Sequence, residues 1–408
     1  MNSVIYNQKE IPCPYDYDVV VVGGGFAGFS AAVAAGLAGV RTLLIERTGA
    51  LGGIATQAGV ASFCTSLGDR LTGRGVIFDR IVDRLCKMRG IGEENGYTVK
   101  QNESIATADY GFSAPALEMA MLHMATESGV TLLLHTEVVD VKTEGKRLTH
   151  LILHNESMLH AVACRTVIDG TGSGTVALQS GGEMLPIDDG TMPIPPAFRI
   201  FLHKGSSPSP LQPVANFSAE PFSYGIQQLP GDAVVLKINL VNERTTDAGE
   251  RNAVELAVKQ RVLATVADFR KKYGEEYYYD GLPQMFPVRE MRRIRGEYIL
   301  TATDVRSGRR FDDAVAEGSF IIDTLYLHEC VPPYDIPYRS LLVYNTENLL
   351  VVGRCFSADR YAMASARIMT TASQMGEAAG AAAALSCLGK RSLRKILASE
   401  IKSLLNSF

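Results

Sequence analysis

The chain has 408 residues, 46% of them hydrophobic and 21% charged, with a formal net charge of −4. That length and balance predict a soluble globular protein of two or three packed units with a large core. The mild acidity and the lack of a basic stripe argue against a nucleic-acid partner, and no apolar run reaches membrane-spanning length.

The first fourteen residues carry Glu10 and two prolines and lack the apolar core of a signal peptide. Seven cysteines are scattered without a C-x-x-C pair, which predicts reduced thiols in a cytoplasmic protein and no redox dithiol. Asp18 to Val22 is a β-branched run, Phe26 to Ala38 an alanine-rich helix closed by Gly39, and Arg41 to Glu46 a second strand. This βαβ unit carries Gly23-x-Gly25-x-x-Gly28. Gly23 lets the strand turn sharply, Gly25 lets the backbone approach a pyrophosphate, and Gly28 lets helix and strand pack closely. Phe26 and Ala27 open the helix, whose free N–H groups favour an anion. Glu46 is placed to accept from ribose hydroxyls and would repel a 2′-phosphate, so NADP is disfavoured. The pattern alone does not separate NAD from FAD.

Glycines continue through Gly52-Gly53, and a polar stretch follows to about Asp109. Ala114 to Ser128 reads as a helix with Leu117, Met121 and Leu122 apolar, and Val130 to Leu134 as a buried strand. From His135 to Cys164, turns at "TEGKR" and "NES" separate the short strands of an antiparallel meander. "TVIDGTGSGT" (166–175) is again strand, then glycine turn. From about Leu178 to Val343 the chain is rich in Pro, Phe and Tyr, with a strand at Ala233–Leu240 and a long helix at Arg251–Tyr273. "NLLVVGR" (348–354) returns to the strand-then-glycine pattern. An alanine-rich helix, Met369–Leu388, and an amphipathic one, Leu393–Leu405, close the chain; the basic run Lys390–Lys395 reads as a solvated helix face or junction. The nucleotide-binding domain is therefore expected to be split. Its first part is 1–177, the inserted substrate domain 178–343, its last strand and helix 344–390, and 391–408 a C-terminal helix.

After Glu46 the chain runs through Arg47 to Gly52-Gly53-Ile54-Ala55-Thr56. Here it resembles FAD-dependent oxidoreductases of the fumarate reductase and succinate dehydrogenase flavoprotein branch of the glutathione reductase fold. In that group "E-R-x(4)-G-G-x-A-T" lies along the extended FAD. Three further blocks carry the resemblance: "VIDGTGSG" (167–174), "VREMRRIRGEYILTATDV" (288–305) and the stretch 334–385, which begins "YDIPYRSLL". The last two resemble a large subfamily, and about 178–280 has no counterpart. The resemblance implies an α/β fold: a Rossmann-type FAD-binding domain with an antiparallel β-meander, plus an inserted β-rich α+β substrate domain. It implies that the Val138 backbone meets the adenine, that Thr171 and Gly172 touch FAD again, and that Gly353 and Arg354 approach the ribityl chain. Arg367 and Ile368 fall near the start of the last FAD-domain helix, whose positive end would stabilise reduced flavin.

For the substrate site, Arg289, Arg292 and Arg293 share one face if their block is helical; as a strand, Arg293 and Arg295 point together. Arginine suits bidentate capture of a carboxylate or proton delivery beside a flavin, and salt bridging to Glu290 and Glu297 is the structural alternative. Tyr338, Arg339, Arg360 and Tyr361 lie beside the returning FAD segments. His328 is a candidate acid or base, or else a packed or surface histidine. Many subfamily members carry a histidine where Leu325 stands and a small hydroxyl residue where Met291 stands, so a histidine-dependent mechanism does not transfer directly. Cys355 is either a redox or covalent-attachment site or a small buried residue. Metal-ligand spacings and a Gly-x-Ser-x-Gly elbow are both missing from the sequence, which sets aside metal-dependent and hydrolytic chemistry.

The expected reaction is hydride transfer between flavin N5 and a small polar or anionic substrate, by C=C reduction or C–H oxidation, with an external electron donor or acceptor. "GTGSGT" lacks the spacing of a second dinucleotide site. The competing readings are an NAD-dependent dehydrogenase and a flavin-binding protein without turnover. Substrate, electron flow, covalent attachment and oligomeric state, a homo-oligomer included, are left open.

Overall fold

The computed structural model describes all residues except 1, 2, 8, 89–97, 103–105, 157, 187–196, 206–219, 229–232, 241–247, 290, 325 and 326. Strand β1 (Tyr15–Val22), helix α1 (Phe26–Leu37) and strand β2 (Thr42–Ile45) form the expected βαβ unit. Val19, Val20 and Val21 have no exposed surface, as a parallel strand covered on both faces requires. Helices α2 (Val76–Lys87) and α3 (Ala114–Glu127) lead to strand β3 (Thr131–Leu133). Three long strands follow: β4 (Thr136–Glu144), β5 (Arg147–Asn155) and β6 (Met158–Asp169). The sheet order is β3-β2-β1-β6-β5-β4. β6 pairs antiparallel with β5 and parallel with β1, so one strand joins the meander to the nucleotide-binding sheet.

The stretch expected to be polar is structured. It holds α2 and a three-stranded antiparallel sheet of Ser62–Ser66, Thr107–Gly111 and Thr98–Asn102. Along α2, Ile77, Phe78, Ile81, Val82 and Leu85 are buried at helical spacing. Interleaved charges (Asp79, Arg80, Asp83, Arg84, Lys87) hide that stripe from a reading of average polarity.

Strands β7 (Ala197–Lys204), β8 (Gly225–Gln228), β9 (Ala233–Asn239) and β10 (Tyr277–Gly281) form an antiparallel sheet in the order β8-β9-β7-β10. Helix α4 (Ala248–Tyr273) packs Val258, Val262, Val266 and Phe269 against Phe198, Ile200, Leu236 and Ile238 of its apolar face. This separate core extends to Met291, and from Ile294 the buried side chains join the main core.

Strand β11 (Leu349–Val351) then returns to the main sheet, parallel to β6. Helices α5 (Arg360–Ala366) and α6 (Met369–Gly389) follow. α6 lies tightly along α1: a Cβ on Gly376 or Gly380 would stand 2.0 or 2.1 Å from the Ala27 or Ala31 carbonyl oxygen. The last predicted helix is shorter than expected. A 3-10 turn at Leu393–Lys395 precedes α7 (Ala398–Leu405), because the Glu400 carboxylate accepts from the Leu397 N–H and starts the helix there. Among the described residues no helix is long and apolar enough to cross a membrane.

Glu377 of α6 caps α2, accepting from the Ile77 and Val76 N–H groups at 2.8 and 3.2 Å. Burial nevertheless pushes its carboxyl up to about 7, above an ordinary 4.5. The folded state thus holds the extra proton, and stability falls as pH rises from about 4.5 to about 7. Glu377→Gln keeps an acceptor for the cap and is expected to remove that decline, on the order of 2–3 kcal/mol at most. Thermal melts of both proteins at pH 5 and pH 8 check this; identical pH dependence would refute it.

Candidate active site and cofactor cleft

The glycine turn ends β1 and is held from two sides. The Gly23 N–H donates to Ile45 and the Gly52 N–H to Gly24, so the Gly52-Gly53 loop is pinned beside Gly25. Glu46 is buried; its Oε2 accepts from the Gly24 N–H at 2.7 Å and its Oε1 from the Thr48 N–H at 2.9 Å. A Cβ on Gly28 would stand 1.9 Å from the Gly23 oxygen, whereas one on Gly25 would meet nothing within 4 Å. Gly28 serves packing; Gly25 opens onto a cleft.

That cleft has two lobes of about 590 and 420 Å³, which share Gly23, Glu46, Arg47, Thr171 and Arg354 among their walls. Lobes of this size suit cofactors and small molecules. The smaller lobe runs past Val138 to Ala248 and Arg251 of α4. The larger reaches from Gly25, Phe26, Ala27, Gly52, Gly53 and Ile54, past Gly172 and Gly353, to Arg367, Ile368 and Met369 at the start of α6. Ala55 and Thr56 support the loop from behind: Ala55 is fully buried and Thr56 Oγ1 donates to the Leu51 oxygen at 2.6 Å. Arg354 Nε donates to the Gly172 oxygen at 3.0 Å, and Arg354 Nη1 to Val288.

The far wall of the larger lobe is the polar face of the inserted sheet. Ala197 and Arg199 on β7 pair with Asn239 and Lys237 on β9, and all four face the cavity, while the alternate residues build the apolar core. Two cations directly opposite each other on neighbouring strands are destabilising. Arg199 is only 5% exposed, its Nη1 donates to the Ala197 oxygen, and its Nε has no partner. Burial and then Arg289 lower its guanidinium to about 10. Burial, Arg289 and Arg199 lower the Lys237 ammonium to about 8. Arg289 lines the same lobe and is lowered to about 10 by burial and then by Arg367.

Two carboxylates face these cations. Asp109 Oδ1 accepts from the Cys64 thiol at 2.7 Å across a strand pair, and burial and then Asp109 raise that thiol, which stays neutral. Asp323 accepts from Arg367 Nη2 at 2.5 Å and lies 3.2 Å from His328 Nδ1. Burial alone would raise the Asp323 carboxyl, but Arg367, Arg289, Lys237 and His328 hold it below the usual range. The chamber thus sets Arg199, Lys237, Arg289 and Arg367 against two carboxylates, with His328 on its wall.

The arginine block is neither helix nor strand, and its members separate. Arg289 enters the larger lobe and Arg292 the smaller. Arg293 is buried and donates to the Pro186 and Ala358 carbonyls at 2.6 and 3.3 Å, a structural role. Arg295 pairs with Glu183, and Glu297 with Arg394; Glu290 lies outside the described residues. Tyr338 and Arg360 line neither lobe; both are buried, and the Tyr338 hydroxyl donates to the Leu393 carbonyl. Arg339 pairs with Asp313, and Arg306 stacks on Tyr361. Cys355 is fully buried and lines neither lobe. Met291 packs in the inserted core, and Leu325 lies outside the described residues. Arg199, Lys237, Asp109 and Cys64 were not anticipated. The one signal for the first two is a cation at an alternating position within an otherwise apolar strand, "AFRIFL" and "AVVLKIN".

A glycine turn at the carboxyl end of a parallel sheet, an acid on the next strand and a cleft reaching a long helix's N-terminus define an α/β dinucleotide-binding protein. The family described as FAD dependent oxidoreductase matches residues 18–186 and 204–405, and the chain belongs to it, with FAD as its cofactor. Among curated proteins it is similar to nicotine dehydrogenase of Pseudomonas putida (strain DSM 28022 / S16), 67% identical over 39 residues. That stretch is 10% of this chain and only 8% of the relative. Among solved structures, the flavin-dependent brominase Bmp2 has a TM-score of 0.51 at 14% identity, covering 96% of this chain and 83% of that one. A triple mutant of the brominase has 0.50 at the same identity, covering 96% and 84%. These structural likenesses show the fold alone.

Proposed function

We propose that this flavoenzyme transfers a hydride between FAD and a small organic anion bound in the larger lobe, by C=C reduction or C–H oxidation. The cofactor would lie along the Gly23–Gly28 turn, Glu46, the Gly52-Gly53 loop, Val138, Thr171-Gly172 and Gly353, with its flavin end at the N-terminus of α6. Bound FAD supplies the hydride donor or acceptor at N5. The domain division proposed is 1–177 with 344–390 for FAD, 178–343 for substrate, and 391–408 as a closing helix.

The observation that carries this reading is the unequal charge at the inserted-sheet end of the chamber, where Arg199, Lys237, Arg289 and Arg367 face only Asp109 and Asp323. Such a cluster is costly unless an anion joins it. Arg199, Lys237 and Arg289 would hold the substrate's anionic group from the inserted-sheet side. Asp323 holds Arg367 in place at the helix end and orients His328, which is accessible enough to exchange protons with solvent.

An anaerobic flavin-bleaching screen tests this, with organic anions set against their amides or esters. Anions are expected to exchange electrons with the flavin and their neutral analogues to fail. Arg289→Ala is expected to raise KM by about tenfold to a hundredfold with flavin content intact. Equal activity toward neutral compounds, or FAD loss with unchanged kinetics per flavin, would refute the proposal.

A further inference from the structure

Among the described residues, Lys237 is the one primary amine on the wall of the larger lobe. It sits on β9 between unlike neighbours, with Arg199 opposite it on β7 and Gly225 opposite it on β8. A Cβ on Gly225 would meet only the Lys237 carbonyl oxygen, at 3.9 Å, so that flank is open to the lobe. Among the described residues the half-buried ammonium has no hydrogen bond and no ion pair. The charged and titratable groups acting on it are Arg289, Arg199, Cys64 and Asp109, and it acts in turn on Asp323. Both carboxylates are engaged elsewhere: Asp109 with the Cys64 thiol, Asp323 with Arg367 and His328. Burial and the two guanidiniums bring the ammonium down to about 8. A guanidinium does not release its proton in a protein, so of the chamber's four cations Lys237 alone can give one up and regain it.

We propose that Lys237 is the proton donor and acceptor of the hydride-transfer reaction, beyond helping to hold the substrate's charge. This rests on the reading that the substrate binds in the larger lobe. When a hydride goes to one carbon of an activated C=C, the other carbon keeps the former π pair and must take a proton. The Lys237 N–H bond then breaks, a C–H bond forms, and solvent recharges the amine; the hydride's two electrons are those of reduced FAD. In the reverse direction the neutral amine takes the substrate's O–H or N–H proton as the hydride leaves to oxidised FAD. Arg199 and Arg289 disfavour the ammonium and so ease the release of its proton.

Reductive labelling of the holoenzyme with glyoxylate tests this without turnover. A neutral lysine amine condenses with the aldehyde, releasing water, and cyanoborohydride reduces the imine to a carboxymethyl-lysine that peptide mass spectrometry locates. Near pH 8, Lys237 is expected to label at least about tenfold faster than the exposed Lys402. Glycolaldehyde, the neutral counterpart, should label Lys237 less than glyoxylate does. For an anion found in the bleaching screen, Lys237→Arg should keep flavin content and substrate Kd but slow electron exchange by about a hundredfold or more. The second-order rate of wild type should change through about pH 8, falling with pH for reduction and rising for oxidation. That limb should vanish in Lys237→Arg and Lys237→Met and persist in His328→Gln. Labelling of Lys237 no faster than Lys402, or a limb that persists in Lys237→Arg and vanishes in His328→Gln, overturns this inference alone. Equal labelling by the two aldehydes, with Lys237 still fast, overturns the anion reading instead.

Discussion

Gly25→Val is expected to yield a folded, colourless protein. The residue caps α1 in an extended conformation, φ −70° and ψ 176°, which any L-residue adopts without strain. Its missing side chain faces empty space, so a valine displaces no protein atom near Cβ. The apo-protein should lose no more than about 1 kcal/mol, the difference between glycine and an apolar residue at a helix start. FAD affinity should fall by roughly a hundredfold or more, because the backbone must approach the pyrophosphate at that point. Gly28→Ala gives the contrast: its Cβ would meet a backbone oxygen at 1.9 Å, so fold and cofactor should be lost together. Thermal melts of apo-protein and flavin absorbance after purification check both. A yellow Gly25→Val protein, or an unfolded one, would sink the assignment of that space to cofactor.

Arg199→Met is expected to stabilise the protein and to disable it. The native guanidinium is buried beside Lys237 and Arg289 with one nitrogen unpartnered. Methionine keeps most of the volume and removes a desolvated like charge, for a gain of about 1–3 kcal/mol. Both its folded value, about 10, and its ordinary value, 12.5, lie above neutrality, so the penalty is constant across neutral pH and the gain should not vary with it. Loss of one buried charged partner should lower kcat/KM by roughly a hundredfold for the substrate that the bleaching screen identifies. That substrate should raise the melting temperature of wild type more than that of the variant. A variant that is less stable yet fully active would show that Arg199 is a structural cation.

The two predictions rest on positions that differed in how readable they were. Gly25 could be assigned from spacing, because a strand, a glycine turn and a helix are consecutive in the chain and their geometry is local. Arg199 could not. Its partner Lys237 is on another strand, and Arg289 and Arg367 come from still more distant segments, so nothing local marks them as neighbours. The arginine block illustrates the converse. Arg289, Arg292 and Arg293 are adjacent in sequence, and regular periodicity would have kept them together. Instead they reach one lobe, the other lobe and the core.

Local chemistry written along the chain was enough for the βαβ unit, the close packing at Gly28, the meander, the returning strand at Leu349 and the alanine-rich α6. Each depends on side-chain period and on backbone freedom within a few residues. Which cations share a chamber, which carboxylates oppose them and where Tyr338 and Arg360 end up depend on contacts across hundreds of residues. Those are settled when the apolar face of the inserted sheet is buried under α4, because a strand that turns its alternate residues inward must present Arg199 and Lys237 on its other side.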